Sequence, residues 1–252
     1  MNNPFSLTNQ VALVTGGGTG IGRGIAQAML DAGATVVITG RREGVLQEAT
    51  QALGERCHYL VNDITERAKL PALVQRIKEQ HGPVDILVNN AGINMKKPAQ
   101  ETSDEEFERI LQTNLISVFS LTRICAQGMI ERQRGSILLI SSMTALFGID
   151  RVVAYGTSKT ALTGLMNSLV TEYSPHNVRI NAIAPGWIDS DMFRKATDAD
   201  PDRKQQIVNR IAMNGFGEPS DIGHAAVFLS SPAARYVTGV VLPVDGGATV
   251  NF

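Results

Sequence analysis

The sequence predicts an α/β protein built on one doubly wound parallel sheet with helices on both faces. Three observations carry that expectation. Short apolar runs of strand length alternate with helix-like segments from residue 10 to the C-terminus. A glycine-rich turn joins the first strand to the first helix. No Pro/Ser-rich linker, repeat or low-complexity stretch breaks the pattern, so residues 1–252 read as a single domain.

The first strand, residues 10–15, is mostly apolar and runs into Gly16-Gly17-Gly18-Thr19-Gly20-Ile21-Gly22. Residues 23–32 suit a helix closed by Gly33, and 34–39 read as a second buried strand. Further strands are expected at 57–62, 86–89, 136–140, 179–183 and 240–244, and helices near 66–80, 103–131, 153–173 and 219–230. Ser103 ahead of Asp104-Glu105-Glu106 supplies a capping hydroxyl and first-turn carboxylates, and Pro219-Ser220-Asp221 opens the last helix similarly. Between Pro185 and Gly217 there is no strand candidate, and Asp198-Ala199-Asp200-Pro201-Asp202 is acidic and turn-prone. An insertion at about 187–217, after a strand end, is expected to cover a substrate.

Composition excludes several classes. A net charge of −1 gives no reason to expect nucleic acid or an anionic membrane as partner. The two cysteines, Cys57 and Cys125, suit a reducing compartment rather than a disulfide scaffold. His58, His81, His176 and His224 are scattered without metal-ligand spacing, so no metal site is expected. The N-terminus shows no secretory signal and no apolar stretch reaches membrane-spanning length, so a cytoplasmic location is expected.

The chemistry sits in a few motifs. Strand, glycine turn, helix and strand in succession form the setting in which glycines let the backbone approach a pyrophosphate at a helix N-terminus. The same glycines without a ligand would be a flexible loop. The second strand ends in Gly40-Arg41-Arg42, with no carboxylate to repel a 2′-phosphate and two guanidiniums to bind one. This favours NADP(H), with NAD(H) as the alternative and Arg41 as the direct contact; otherwise the two arginines are solvated residues at a helix start. Tyr155 and Lys159 share one helix face at a spacing of four, and Ser142 precedes Tyr155 by thirteen residues. A fixed cation beside a phenol moves its pKa from about 10 toward neutrality, which suits proton exchange with an alcohol. The same pair would otherwise be a surface contact.

Together these residues resemble the short-chain dehydrogenase/reductase family over essentially the whole chain. The family's motifs match Thr15-Gly16-x-x-x-Gly20-Ile21-Gly22, Asn89-Asn90-Ala91-Gly92, Asn114, Ser142, Tyr155 with Lys159, and Pro185-Gly186. The resemblance implies a Rossmann dinucleotide-binding fold. It makes Tyr155 the general acid or base, Ser142 the substrate-oxygen donor, Lys159 the ribose ligand that lowers the Tyr155 pKa, and Asn114 the holder of a water leading to solvent. It places Thr19 and Ile21 with the glycines at the cofactor, Asp63 and Ile64 at the adenine, and Asn90, Ala91 and Gly92 along it. Pro185, Gly186 and Ile188 fall beside the nicotinamide.

The substrate wall implied by family position includes Thr144, Phe147, Gly148, Trp187 and Met192. Lys96-Lys97 resembles the basic pair of the gluconate and deoxygluconate dehydrogenases, where a cation would meet a sugar-acid carboxylate; a solvated turn is the alternative. The expected activity is therefore hydride exchange between NADP(H) and a small ketone or secondary alcohol, plausibly a sugar, polyol or sugar acid. A β-ketoacyl-thioester reductase and a non-catalytic dinucleotide sensor are the alternatives. Packing of helices 103–131 and 153–173 against their copies would give a homotetramer, with Val118, Leu121, Leu162, Leu165 and Leu169 either at that interface or in an ordinary core.

Overall fold

A computed structural model describes residues 3–189 and 201–251. Seven parallel strands form one sheet: β1 (Val11–Thr15), β2 (Thr35–Gly40), β3 (Cys57–Val61), β4 (Val84–Asn89), β5 (Gly135–Ile140), β6 (Val178–Pro185) and β7 (Val241–Val244). Their order is β3-β2-β1-β4-β5-β6-β7. Strand order reverses between β1 and β4, which opens a crevice beyond their C-terminal ends.

The helices are α1 (Gly20–Asp31), α2 (Glu43–Leu53), α3 (Leu70–His81), α4 (Asp104–Leu111), α5 (Ser117–Glu131), α6 (Val153–Tyr173), α7 (Pro201–Arg210) and α8 (Pro219–Ser230). Side chains alternate across each strand, so the sheet feeds two cores. Ala12, Val14, Ile38, Val88 and Ile140 pack with α1 and α8 on one face. Leu13, Val37, Leu87, Ile137 and Leu139 pack with α3, α5 and α6 on the other. Helices α1 and α8 meet through glycines: a Cβ at Gly223 would lie 2.7 Å from the Gly24 carbonyl.

Several boundaries differ from the sequence expectation. The first helix begins at Gly20, inside the glycine turn. Helix α2 follows Arg42, and α7 lies in the segment expected to be an insertion without strands. The long helix expected over 103–131 is interrupted by a π-helical turn at Gln112–Ile116. That turn has a functional address, because single π turns collect at sites where a helix must present a backbone or side-chain group. Val118, Leu121, Leu162, Leu165 and Leu169 all face the second core. Outward apolar residues of this region include Ile116, Phe119 and Val153.

Candidate active site

The glycine turn is shaped by what its residues lack. Gly16 and Gly20 sit at φ +66° and +51°, where a side chain is strained. A Cβ on Gly22 would collide with the Gly16 carbonyl and lie 2.5 Å from Asn90 Nδ2. Asn90 braces this turn from the end of β4, donating to the carbonyls of Thr15 at 2.9 Å and Gly16 at 3.2 Å. The Thr15 hydroxyl answers by accepting from Asn90 N and Ala91 N, both at 3.0 Å. The cradle is thus rigid, lies at the N-terminus of α1, and suits a pyrophosphate. Thr19 precedes the helix with its side chain exposed.

At the next strand end, Arg41 Nη1 stands 3.9 Å from Asp63 Oδ2, with the arginine side chain 71% exposed. Burial alone would raise the Asp63 pKa. Hydrogen bonds from Thr65 and the charge of Arg41 outweigh it and hold the carboxyl below its usual range. Ile64 beside it is buried. Arg41 therefore keeps most of its guanidinium in solvent at the position where a 2′-phosphate would need it, and the cradle and cation both fit an NADP-type dinucleotide.

The catalytic candidates converge where β5 ends and α6 begins. Ser142 caps the short turn Met143–Ala145, accepting from Thr144 N at 3.1 Å. Its hydroxyl acts on the Tyr155 phenol, favouring the ionised form. The Lys159 ammonium lies 5.6 Å from the centre of the Tyr155 ring and donates to the Ile140 carbonyl at 2.7 Å. Burial lowers the Lys159 pKa from 10.5 to about 8. Burial also raises the Tyr155 pKa, with the Ser142 hydroxyl pulling the other way. Desolvation dominates at the phenol, and the ammonium bonds to the Ile140 carbonyl.

Asn114 sits in the π turn and is buried. Its side chain exchanges two hydrogen bonds with Ile93, N to Oδ1 at 2.9 Å and Nδ2 to O at 2.9 Å. Nδ2 also donates to Ser158 Oγ at 3.1 Å, and Ser158 donates to the Tyr155 carbonyl at 2.7 Å. Asn114 thereby ties the loop after β4 to the helix carrying Tyr155 and Lys159. A Cβ on Gly92 would lie 3.2 Å from Asn114 Oδ1 and 3.6 Å from Lys159 Nζ, so the bare glycine keeps these two polar groups open to one another. Thr15 and Ser158 escaped notice as site residues, although both lie inside the motifs quoted from the sequence.

The substrate side is less uniform. Lys97 is occupied by Glu106, at 3.1 and 2.8 Å, inside the Ser103 capping box. Of the Lys96-Lys97 pair, Lys97 is thus engaged within the protein and Lys96 is the exposed member. Thr144 Oγ1 is buried without a hydrogen-bond partner among the described residues. Trp187 and Phe216 pack against Ile207, Ile211 and Ala248. Pro185 is the last residue of β6, and a Cβ on Gly186 would lie 2.6 Å from Asp245 Cα. Ile188 forms a parallel bridge with Gly217. Met192 lies outside the described residues. A cavity of about 600 Å³ lined by Pro98, Gln100, Ile149, Asp150 and Arg151 lies beside this region, and none of the four catalytic candidates lines it. Among the described residues no group of three or more His, Cys, Asp or Glu side chains forms a metal site. None of the described helices is long and apolar enough to cross a membrane.

Known proteins match this arrangement along its whole length. A family model described as enoyl-(acyl carrier protein) reductase covers residues 16–249. The 2-dehydro-3-deoxy-D-gluconate 5-dehydrogenase of Bacillus subtilis (strain 168) is 37% identical over 249 residues, 98% of this chain and 97% of that protein. The 3-oxoacyl-(acyl-carrier-protein) reductase FabG of Vibrio harveyi is 33% identical over 243 residues, 96% of this chain and 98% of that one. The crystal structure of a gluconate 5-dehydrogenase from Burkholderia cenocepacia J2315, in complex with NADP and tartrate, superposes with a TM-score of 0.92 at 29% identity, covering 99% of this chain and 98% of that one. By the family model over residues 16–249 and relatives more than 30% identical across nearly all of it, this chain belongs to the short-chain dehydrogenase/reductase family of oxidoreductases acting on alcohol and ketone groups.

Proposed function

We propose that this chain is an NADP(H)-dependent dehydrogenase/reductase of a secondary alcohol/ketone pair on a small sugar acid, with related sugars or polyols as neighbouring substrates. The observation that carries the reading is the Ser142–Tyr155 hydroxyl pair with the buried Lys159 ammonium 5.6 Å from the phenol ring. Ser142 holds the substrate oxygen. Tyr155 takes the alcohol proton during oxidation and returns it during reduction. Lys159 keeps a positive charge in a dry site, where it stabilises charge developing on that oxygen. Asn114 fixes the helix that presents both. A bound nicotinamide would supply or accept the hydride. Gly16, Gly20, Ile21 and Gly22 would hold the pyrophosphate, Arg41 the 2′-phosphate, Asp63 and Ile64 the adenosine end, and Gly92, Pro185, Gly186 and Ile188 the nicotinamide end.

Two deoxygluconate- and gluconate-type relatives among those described support the sugar-acid substrate, and the NADP in one of them supports the cofactor. The FabG relative supports a second reading, reduction of a β-ketoacyl thioester. A purely sensory role fits less well, since no catalytic side chain is missing. The 187–217 segment is proposed to cover the substrate within a single domain. A cytoplasmic homotetramer is proposed as well; Ile116 and Phe119 on the outer face of the π turn and α5 support assembly.

The test is NADPH consumption across keto-sugar acids, ketoses, diketones and an acetoacetyl thioester, with Tyr155→Phe as control. Turnover of a keto-sugar acid that Tyr155→Phe abolishes supports the reading. Preferred turnover of the thioester overturns it in favour of the second. Tight NADPH binding without turnover on any member overturns it in favour of a sensor.

A further inference from the structure

The segments following β5 and β6 face each other across the substrate side, and one contact bridges them. The guanidinium of Arg210, at the C-terminal end of α7, lies over the ring of Phe147 with Cζ 4.3 Å from the centroid. Phe147 belongs to the turn that Ser142 caps, its N–H bonding to the Met143 carbonyl at 3.1 Å. Arg210 is fixed from its own side: Ile207 on the same helix and Ile211 just after its end are buried in a cluster with Ala248, against which Trp187 packs. Asn251 also donates to the Arg210 carbonyl at 3.3 Å.

A guanidinium lying over an aromatic face is held there by cation–π attraction, which uses none of its N–H donors as conventional hydrogen bonds. Among the described residues that fork meets no carboxylate. Of the two lysines expected at this mouth, Lys97 is taken by Glu106. We propose that Arg210, held over Phe147, is the residue that binds the carboxylate of the substrate, and that it selects sugar acids over their neutral analogues. The inference rests on the proposed function, and it deepens it by naming the anion-binding residue. The fork–fork geometry of guanidinium with carboxylate requires the planar group; lysine at the same place would keep the charge and lose the fork.

The experiment compares wild-type, Arg210→Ala, Arg210→Lys, Phe147→Leu and Lys96→Ala. Each is assayed on a keto-sugar acid and on the ketose bearing a hydroxymethyl group in place of the carboxylate. NADPH affinity and thermal stability are measured alongside. The expected result is a fall of roughly 10- to 100-fold in the acid/neutral ratio of kcat/KM for Arg210→Ala, expressed mainly in KM for the acid. Smaller falls are expected for Arg210→Lys and Phe147→Leu, with NADPH affinity unmoved. An unchanged ratio in Arg210→Ala overturns the assignment, and a ratio that collapses in Lys96→Ala instead transfers it to Lys96. If wild-type itself fails to prefer the acid, the functional reading fails first and the anchor with it.

Discussion

Replacing Lys159 by methionine isolates the electrostatic cost of the site. Lys159 is 5% exposed, and burial brings its pKa from 10.5 to about 8. Below about pH 8 both folded and unfolded chains carry the charge, so the full penalty of burying it acts on the folded state. Between about pH 8 and 10.5 the folded lysine is mostly neutral while the unfolded one still holds its proton. The unfolded chain then binds more protons, and stability rises with pH. The shift corresponds to about 3 kcal/mol at roughly 1.36 kcal/mol per unit. Methionine does not titrate, so packing differences cancel and only the pH dependence remains. The wild-type minus Lys159→Met difference in unfolding free energy should move in favour of wild-type by about 2 kcal/mol from pH 8 to 10. Urea unfolding of both proteins without cofactor measures it. A difference that stays flat over that range would refute the claim that the ammonium is held against its solvation preference.

Two further outcomes follow from the cofactor side. Arg41→Asp places a carboxylate where the 2′-phosphate is proposed to sit, so the ratio of kcat/KM for NADPH over NADH should fall by at least an order of magnitude; an unchanged ratio would remove Arg41 from the cofactor site. Gly22→Ala drives a methyl group against the Gly16 carbonyl and to 2.5 Å from Asn90 Nδ2, so the brace must break and NADPH affinity measured by titration should drop at least tenfold, whereas retained affinity would show that the turn is not the pyrophosphate cradle.

The sheet was legible because buried parallel strands read as unbroken apolar runs: residues 86–89 and 136–140 fall inside β4 and β5. Helix α2 was not, since Arg-Arg-Glu-Gly offers neither a capping hydroxyl nor a strong apolar face, and only Leu46 and Ala49 are buried. The π turn at Gln112–Ile116 leaves no periodic signal; it is visible only once Asn114 is seen bonding to Ile93 and Ser158. The four catalytic candidates were named by motif, but the direction of the Tyr155 shift depends on desolvation, which spacing along a helix does not encode. The Lys97–Glu106 and Arg210–Phe147 contacts depend on which long side chains meet in space, so the sequence offered both lysines as equals and left Arg210 unremarked.

The two ends of the sheet treat charge in opposite ways. Beside the start of β4, the carboxylate of Asp85 accepts from Val11 N at 3.1 Å and from Arg134 Nη2 at 2.9 Å, with Arg132 Nη2 at 3.5 Å. At the start of β6, Arg179 donates to the carbonyls of Leu229, Ser230, Ser231 and Val237. Buried Asp85 and half-buried Arg179 are surrounded by partners and therefore hold the helix ends to the sheet. At the C-terminal end Lys159 has one carbonyl and no carboxylate among the described residues, and burial lowers its pKa. A group with spare hydrogen-bonding capacity in a dry place is costly to the fold and available to a ligand. That asymmetry, more than the presence of a tyrosine and a lysine four residues apart, separates a catalytic pair from a surface contact.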